Sequence, residues 1–246
     1  MKIHIEKSAA TANEAAANLL CDWLASPTTR TVMVAAGNTP LDLYRLVPRR
    51  GISLAHLQIF ALDEYVGVPL DEPRNCANLL RRCVAEAWGI PATQYHTVSS
   101  QPSDALASIQ AHESRIHAAG GLDVIILGLG QNGHLGFNEP GSAPDSVGRV
   151  LDLDSVSTEA NRKWFGGDYA PHQGVTVGLR TILAARKALI LAFGPHKRTA
   201  VEAMCQGPIG PHCPASFLRR HPEAHSFLDS AAADPQLHTP GQPLPP

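Results

Sequence analysis

Asp123-Val-Ile-Ile-Leu-Gly-Leu-Gly-Gln-Asn-Gly-His-Leu-Gly-Phe-Asn-Glu-Pro-Gly141 is the stretch on which the reading of this chain turns. After Asp123, the six residues Val124 to Leu129 form an apolar run rich in β-branched residues, and a strand is expected over 123–129. Five glycines in the fourteen positions from Gly128 to Gly141 then supply unusual backbone angles and close approach. This is not a dinucleotide fingerprint, because the glycines follow a late strand, do not open a helix as G-x-G-x-x-G, and are interrupted by Pro140. A buried strand running into such a loop fits an open parallel α/β sheet, where ligands bind beyond the carboxyl ends of strands.

Outward from this segment the same alternation repeats. Further strands are expected at 2–6, 31–36, 57–62 and 188–193, with a short final one near 225–228. Ala12, Ala16, Leu19, Leu20, Trp23 and Leu24 recur at helical spacing before Ser26-Pro27 closes the helix. Other helices are expected at 40–47, 75–88, 101–119 and 195–205. The pattern predicts an α/β fold: three layers, a mainly parallel open sheet of modified Rossmann-like type, and helices on both faces. One domain is expected over 1–230. Between about 141 and 174 the periodicity weakens, so a long loop or lid is expected there, with a helix around 158–165. The segment 231–246 carries five prolines and no aromatic residue, and is expected to be a disordered tail.

Composition narrows the partners. With 20 Lys+Arg against 22 Asp+Glu and a net charge of -2, no basic run tracks a phosphodiester backbone, so no nucleic-acid partner is expected. The longest apolar runs fall well short of a membrane span, and no signal-like stretch follows Met1, so no membrane partner and a cytoplasmic location are expected. The five cysteines contain no C-x-x-C pair and read as reduced structural thiols. His221 and His225 lie four apart, but Pro222 separates them and no Glu follows His221, so no metal site is expected.

Four loops beyond strand ends carry polar residues. After 31–36 comes Gly37-Asn38-Thr39-Pro40, with Thr39 suited to cap a helix, Pro40 to its first position, and the free amides and hydroxyl suited to an anion. Asp63 and Glu64 follow 57–62; successive side chains diverge, so one carboxylate can act as a base while the other holds the loop. A solvated acidic turn is the plainer reading. In the glycine-rich loop, Asn132 and Glu139 flank His134, so one group can orient the imidazole while its other nitrogen serves a substrate. Lys197 falls where a helix begins, a position that favours a bound anion as its companion. Arg162 and Lys163 in the lid offer a second cationic clamp.

Two segments, Leu62-Asp-Glu-Tyr-Val-Gly-Val-Pro69 and Gly128 to Gly141, resemble the signature motifs of the glucosamine-6-phosphate deaminases (isomerases). Segments 175–178, 193–197 and 214–218 are similar to the family as well, so the likeness spans roughly residues 2 to 229. The related sugar-phosphate lactonases differ after the central histidine, whereas the galactosamine-6-phosphate deaminases match at least as well. The resemblance implies an enzyme that isomerises and deaminates glucosamine 6-phosphate to fructose 6-phosphate and ammonium, or its C4 epimer to tagatose 6-phosphate, without cofactor or metal. A non-catalytic sugar-phosphate sensor is the alternative from another class.

By position, the resemblance makes Asp63 the base between C2 and C1, and His134 the ring-opening group, oriented by Asn132 and Glu139. It places Gly37, Asn38, Thr39, Glu64, Lys163 and Lys197 around the substrate, with Thr39 and Lys197 at the 6-phosphate. Asn132 stands where one branch of the family has Asp. Lys163 stands where Arg is common, with Arg162 beside it. Arg149 falls on a basic position of the allosteric site of the hexameric branch, but Leu151 replaces a neighbouring lysine and a Pro-rich tail replaces that branch's C-terminal helix. A monomer or small homo-oligomer without allosteric activation is therefore expected.

Overall fold

The computed structural model describes residues 1–233. Seven strands form one sheet: β1 (Lys2–Glu6), β2 (Thr31–Val34), β3 (Gln58–Ala61), β5 (Tyr95–His96), β6 (Val124–Gly128), β9 (Lys187–Ala192) and β10 (Ala224–Asp229). Their order is β1-β10-β9-β6-β2-β3-β5, and every pairing is parallel. Strands β4 (Asp63–Tyr65), β7 (Arg149–Asp152) and β8 (Gln173–Thr176) form a second, antiparallel sheet in the order β4-β8-β7.

Alternation along the parallel strands divides the core into two apolar layers. Met33, Phe60, Ile125, Leu127 and Ile190 face α4 (Ala105–Ala118), α6 (Leu179–Leu183) and α7 (Arg198–Cys205). Val32, Val34, Ile59, Ile126 and Leu191 face α1 (Ala9–Leu24), α2 (Leu41–Leu46) and α3 (Cys76–Leu80). Both faces are thereby covered, as an all-parallel sheet requires. Each fully buried Leu or Ile contributes about 1.5–3 kcal/mol, which is what fixes the register of these short strands.

Strand order places the functional crevice. From β2 the chain moves outward to β3, whereas from β6 it leaves toward β9 on the other side, so the loops after β2 and β6 diverge and leave a gap between them.

Several elements depart from the sequence reading. The region 141–174 is not an open loop: it contains β7 and α5 (Ser155–Trp164) and runs into β8, and Ser157, Asn161 and Phe165 are buried. Those strands are short and interrupted by polar residues, and the pairing of β8 with β7 on one side and with distant β4 on the other supplies the stability their own sequence lacks. Residues 63–65 are therefore a strand, not a loop. The expected helix 75–88 is α-helical only over Cys76–Leu80, with the Asn75 side chain accepting the Asn78 N–H at 3.2 Å, and continues as wider turns to Glu86. Ala231–Ala233 do not belong to a tail, since Ala232 and Ala233 are buried and their N–H groups bond Asp229. The remainder of the expected tail, 234–246, lies outside the described residues.

Candidate active site

A cavity of about 640 Å³ opens at the carboxyl ends of β2 and β6, lined by loops from both sheets and by α5. Strand β4 carries Asp63 and Glu64, and the strand alternation sends their carboxylates apart. Asp63 lines the cavity. It is 7% exposed, and burial, reinforced by the adjacent Glu64 charge, pushes its carboxyl up to about 8. A carboxylate so destabilised as an anion is a strong proton acceptor once ionised.

Glu64 does not reach the cavity, contrary to the expected substrate contact. Its Oε1 accepts the N–H of Tyr65 at 2.7 Å and of Cys76 at 3.1 Å, and its Oε2 that of Ala77 at 2.8 Å. Fully buried, it satisfies the first turn of α3, whose orphan donors need an acceptor there. Burial raises its carboxyl to about 7 against the opposing pull of those N–H bonds. Glu64 is therefore the carboxylate that holds the loop.

The glycine-rich loop after β6 brings together the three residues expected to act as a unit. Asn132 Nδ2 donates to Glu139 Oε2 at 2.7 Å, and His134 Nδ1 lies 3.2 Å from the same oxygen. Asn132 Oδ1 accepts the His134 backbone N–H at 3.3 Å, which closes the loop on itself. Burial alone would raise the Glu139 carboxyl, but the bond and charge of His134, with Ser157 and Asn132 adding to them, hold it below the usual range. An ionised Glu139 favours the tautomer with the proton on Nδ1, and the His134 ring lines the cavity. Gly133, at φ +84°, packs against Cys213 in a conformation that favours glycine.

The same cavity is lined by Gly37, Asn38, Thr39 and Lys197. Helix α2 begins at Leu41 with Pro40 as its cap and no side-chain cap bond, so Thr39 is not the helix cap the sequence suggested. Its hydroxyl is thereby left available to the cavity. Lys197 precedes α7, and its Nζ donates to the Leu129 carbonyl at 2.5 Å. Burial pushes its ammonium down to about 8, so an anion placed beside it would restore full charge. The turn that presents Lys197 is held by Asp229, which accepts the Gly194 N–H at 2.9 Å. Of the two lid cations, Lys163 lines the cavity and Arg162 does not; the Lys163 ammonium sits 3.4 Å from Glu159 and is largely exposed.

Sequence reasoning did not single out Tyr65, Phe137, Ser157 and Asn161, which also line the cavity. The Tyr65 hydroxyl donates to Asn161 Oδ1 at 3.1 Å, which docks α5 against β4. Tyr65 and Phe137 stand beside motif residues already quoted, and that adjacency was the available signal. Among the described residues no three His, Cys, Asp or Glu side chains converge in metal-binding geometry. His221 and His225 are engaged by the Ala185 carbonyl and by Glu223 and His4.

Residues 4–226 match the family described as glucosamine-6-phosphate isomerases/6-phosphogluconolactonase. The chain belongs to that family. Within the glucosamine-6-phosphate isomerase/6-phosphogluconolactonase family it is 37% identical over 238 residues to the glucosamine-6-phosphate deaminase of Shewanella loihica, covering 95% of this chain and 89% of the relative. The glucosamine-6-phosphate deaminase of Corynebacterium kroppenstedtii is also 37% identical, with coverages of 95% and 92%. A solved monomeric glucosamine-6-phosphate deaminase superposes with a TM-score of 0.90 at 27% identity, covering 94% of this chain and 98% of that one. The 6-phosphogluconolactonase of Trypanosoma brucei, at TM-score 0.76 and 20% identity, shares the fold. No helix among the described residues is long and apolar enough to cross a membrane.

Proposed function

We propose that this chain is a glucosamine-6-phosphate deaminase, converting glucosamine 6-phosphate and water to fructose 6-phosphate and ammonium. The observation that carries the reading is one cavity lined by a buried, proton-seeking carboxylate (Asp63) and a carboxylate-oriented imidazole (His134). A hydroxyl (Thr39) and a partly desolvated ammonium (Lys197) line the same cavity. The names of the relatives at 37% identity support it.

The 6-phosphate lies against Thr39, the amides of Gly37 and Asn38, and Lys197, which sets the distance to the reacting carbons. Nε2 of His134 takes the C1 hydroxyl proton and returns one to the ring oxygen, opening the pyranose. Asp63 removes the proton at C2 and delivers it to C1, which moves the carbonyl-level carbon to C2 as an imine. Water adds to that imine, the C–N bond breaks, and ammonium leaves. Lys163 at the rim contacts the phosphate from the lid. The chain acts as a monomer or small homo-oligomer in the cytoplasm, and the five unpaired cysteines, four of them buried, support the reducing compartment.

Ammonium release from glucosamine 6-phosphate, run beside its C4 epimer, tests this. Turnover of the gluco substrate is expected. Turnover of the galacto epimer alone would reassign the substrate, and sugar-phosphate binding without ammonium release would replace the enzyme with a sensor.

A further inference from the structure

We propose that Ser157, on the lid helix α5, is a positioning residue that couples docking of the lid to the orientation of His134. The inference rests on the reading of His134 as the ring-opening group. The Ser157 Oγ lies 3.3 Å from His134 Nδ1, and the residue is 4% exposed. The other two partners of this assembly, Asn132 and Glu139, belong to the same glycine-rich loop as His134, so they move with the ring rather than anchoring it to anything else. Ser157 is the hydrogen-bonding contact to the ring nitrogens that comes from another element among the described residues.

The Glu139 carboxylate leaves this task open. Its Oε2 serves both Asn132 and His134, whereas its Oε1 is buried with no partner. One shared oxygen holds the imidazole along a single direction, and a second contact is needed to stop it swinging about its Cβ–Cγ bond. Ser157 supplies that contact from the lid side, with a hydroxyl that can accept from Nδ1–H or donate to the carboxylate.

Helix α5 is itself seated by bonds remote from the imidazole. Asp154 caps its first turn through the Val156 N–H at 2.8 Å, Asn161 accepts from Tyr65, and Trp164 Nε1 donates to the Arg74 carbonyl at 3.3 Å. Arg74 in turn bonds Asp168 beyond the helix at 2.9 Å. A lid seated by these contacts delivers Ser157 to His134. A displaced lid withdraws it, so the ring-opening group is fully aligned only when the cavity is covered, which limits proton loss to bulk water.

The test compares Ser157→Ala with Ser157→Thr, which keeps the hydroxyl, in the full chain at matched melting temperature. Two readouts are used. In the ligand-free protein, the proton on His134 Nδ1 is followed by NMR as a slowly exchanging downfield resonance. In turnover, kcat and KM are measured on cyclic glucosamine 6-phosphate and on a 5-deoxy analogue that keeps the C1 aldehyde, the C2 amine and the 6-phosphate but cannot close the pyranose ring. Ser157→Ala is expected to lose or broaden the resonance and to lower kcat on the cyclic substrate about tenfold, within the range up to about 10²-fold that small misplacements cost. KM and open-chain turnover should change less than twofold. Ser157→Thr should restore both signals. An unchanged resonance in Ser157→Ala would overturn the proposal, as would equal losses on both substrates. The NMR arm needs no turnover, so it judges Ser157 even if the deaminase reading fails.

Discussion

The His134 ring occupies the space in which a side chain on Gly130 would begin, and the Gly130 N–H donates to the His134 carbonyl at 3.1 Å. Gly130 therefore matters here for its missing Cβ, not for an unusual φ. In Gly130→Ala the methyl must displace the imidazole from Glu139. The expected result is a fall in kcat on the order of 10²-fold with sugar-phosphate affinity changed only a few-fold, measured by turnover and by calorimetry with inorganic phosphate. Equal loss of binding and turnover would show that the loop had collapsed as a whole.

Replacing the Asp63 carboxylate should separate activity from stability. Asp63→Asn keeps the shape but cannot accept the C2 proton, so turnover should fall about 10²- to 10⁴-fold. The folded carboxyl titrates near 8 and an unfolded one near about 3.9, so between those values the folded state holds the proton more tightly. Wild-type stability then falls as pH rises across that window. The amide removes this slope, so Asp63→Asn should be more stable than wild type at pH 8 by about 1 kcal/mol or more, with the gain vanishing toward pH 4. Urea melts at both pH values read this directly.

The pH dependence of kcat/KM follows from the same groups. Asp63 is competent when ionised, so the rate should climb as pH rises toward about 8. Lys197 holds phosphate when protonated, and in the free protein its charge is lost as pH rises past about 8. A narrow bell near pH 8 is expected, and its alkaline limb should move upward in kcat, where bound phosphate keeps Lys197 charged. A flat profile between pH 6 and 8 would remove Asp63 from the rate-determining chemistry.

Arg149 grips the loop on both sides of Glu139. One amino group donates to Asn138 Oδ1 at 2.9 Å and the other to Ser142 Oγ at 2.8 Å. The side chain is thus an internal strut from β7 to the catalytic loop. Arg149→Met keeps the stem and loses both bonds. A destabilisation of about 2 kcal/mol is expected in urea melts, together with reduced kcat.

Much of this organisation is legible in the residues. The apolar runs around Val32, Ile59, Ile125 and Leu189 mark buried parallel strands, and the segments that follow them hold Thr39, Asp63, His134 and Lys197. What could not be read depends on contacts between distant segments. Strand β8 sits between β7 and the distant β4, pairings that no local pattern announces, and Ser157 gains its meaning from a histidine in another loop. Thr39 looked like a helix cap because the local pattern Thr-Pro is one, yet the chain delays the helix and leaves the hydroxyl to the cavity. The divergence of Asp63 and Glu64 followed from strand alternation, but which of the two turned inward was decided by α3, whose first N–H groups required an acceptor.

Deuterium at C2 of glucosamine 6-phosphate tests the central claim, that Asp63 carries the proton from C2 to C1 in an isomerising deamination. Ammonium and fructose 6-phosphate should form more slowly from the deuterated sugar than from the ordinary one, with part of the label recovered at C1, and Asp63→Asn at equal folded fraction should form neither product at a comparable rate. Ammonium released at the wild-type rate by Asp63→Asn, with the same isotope distribution, would contradict it.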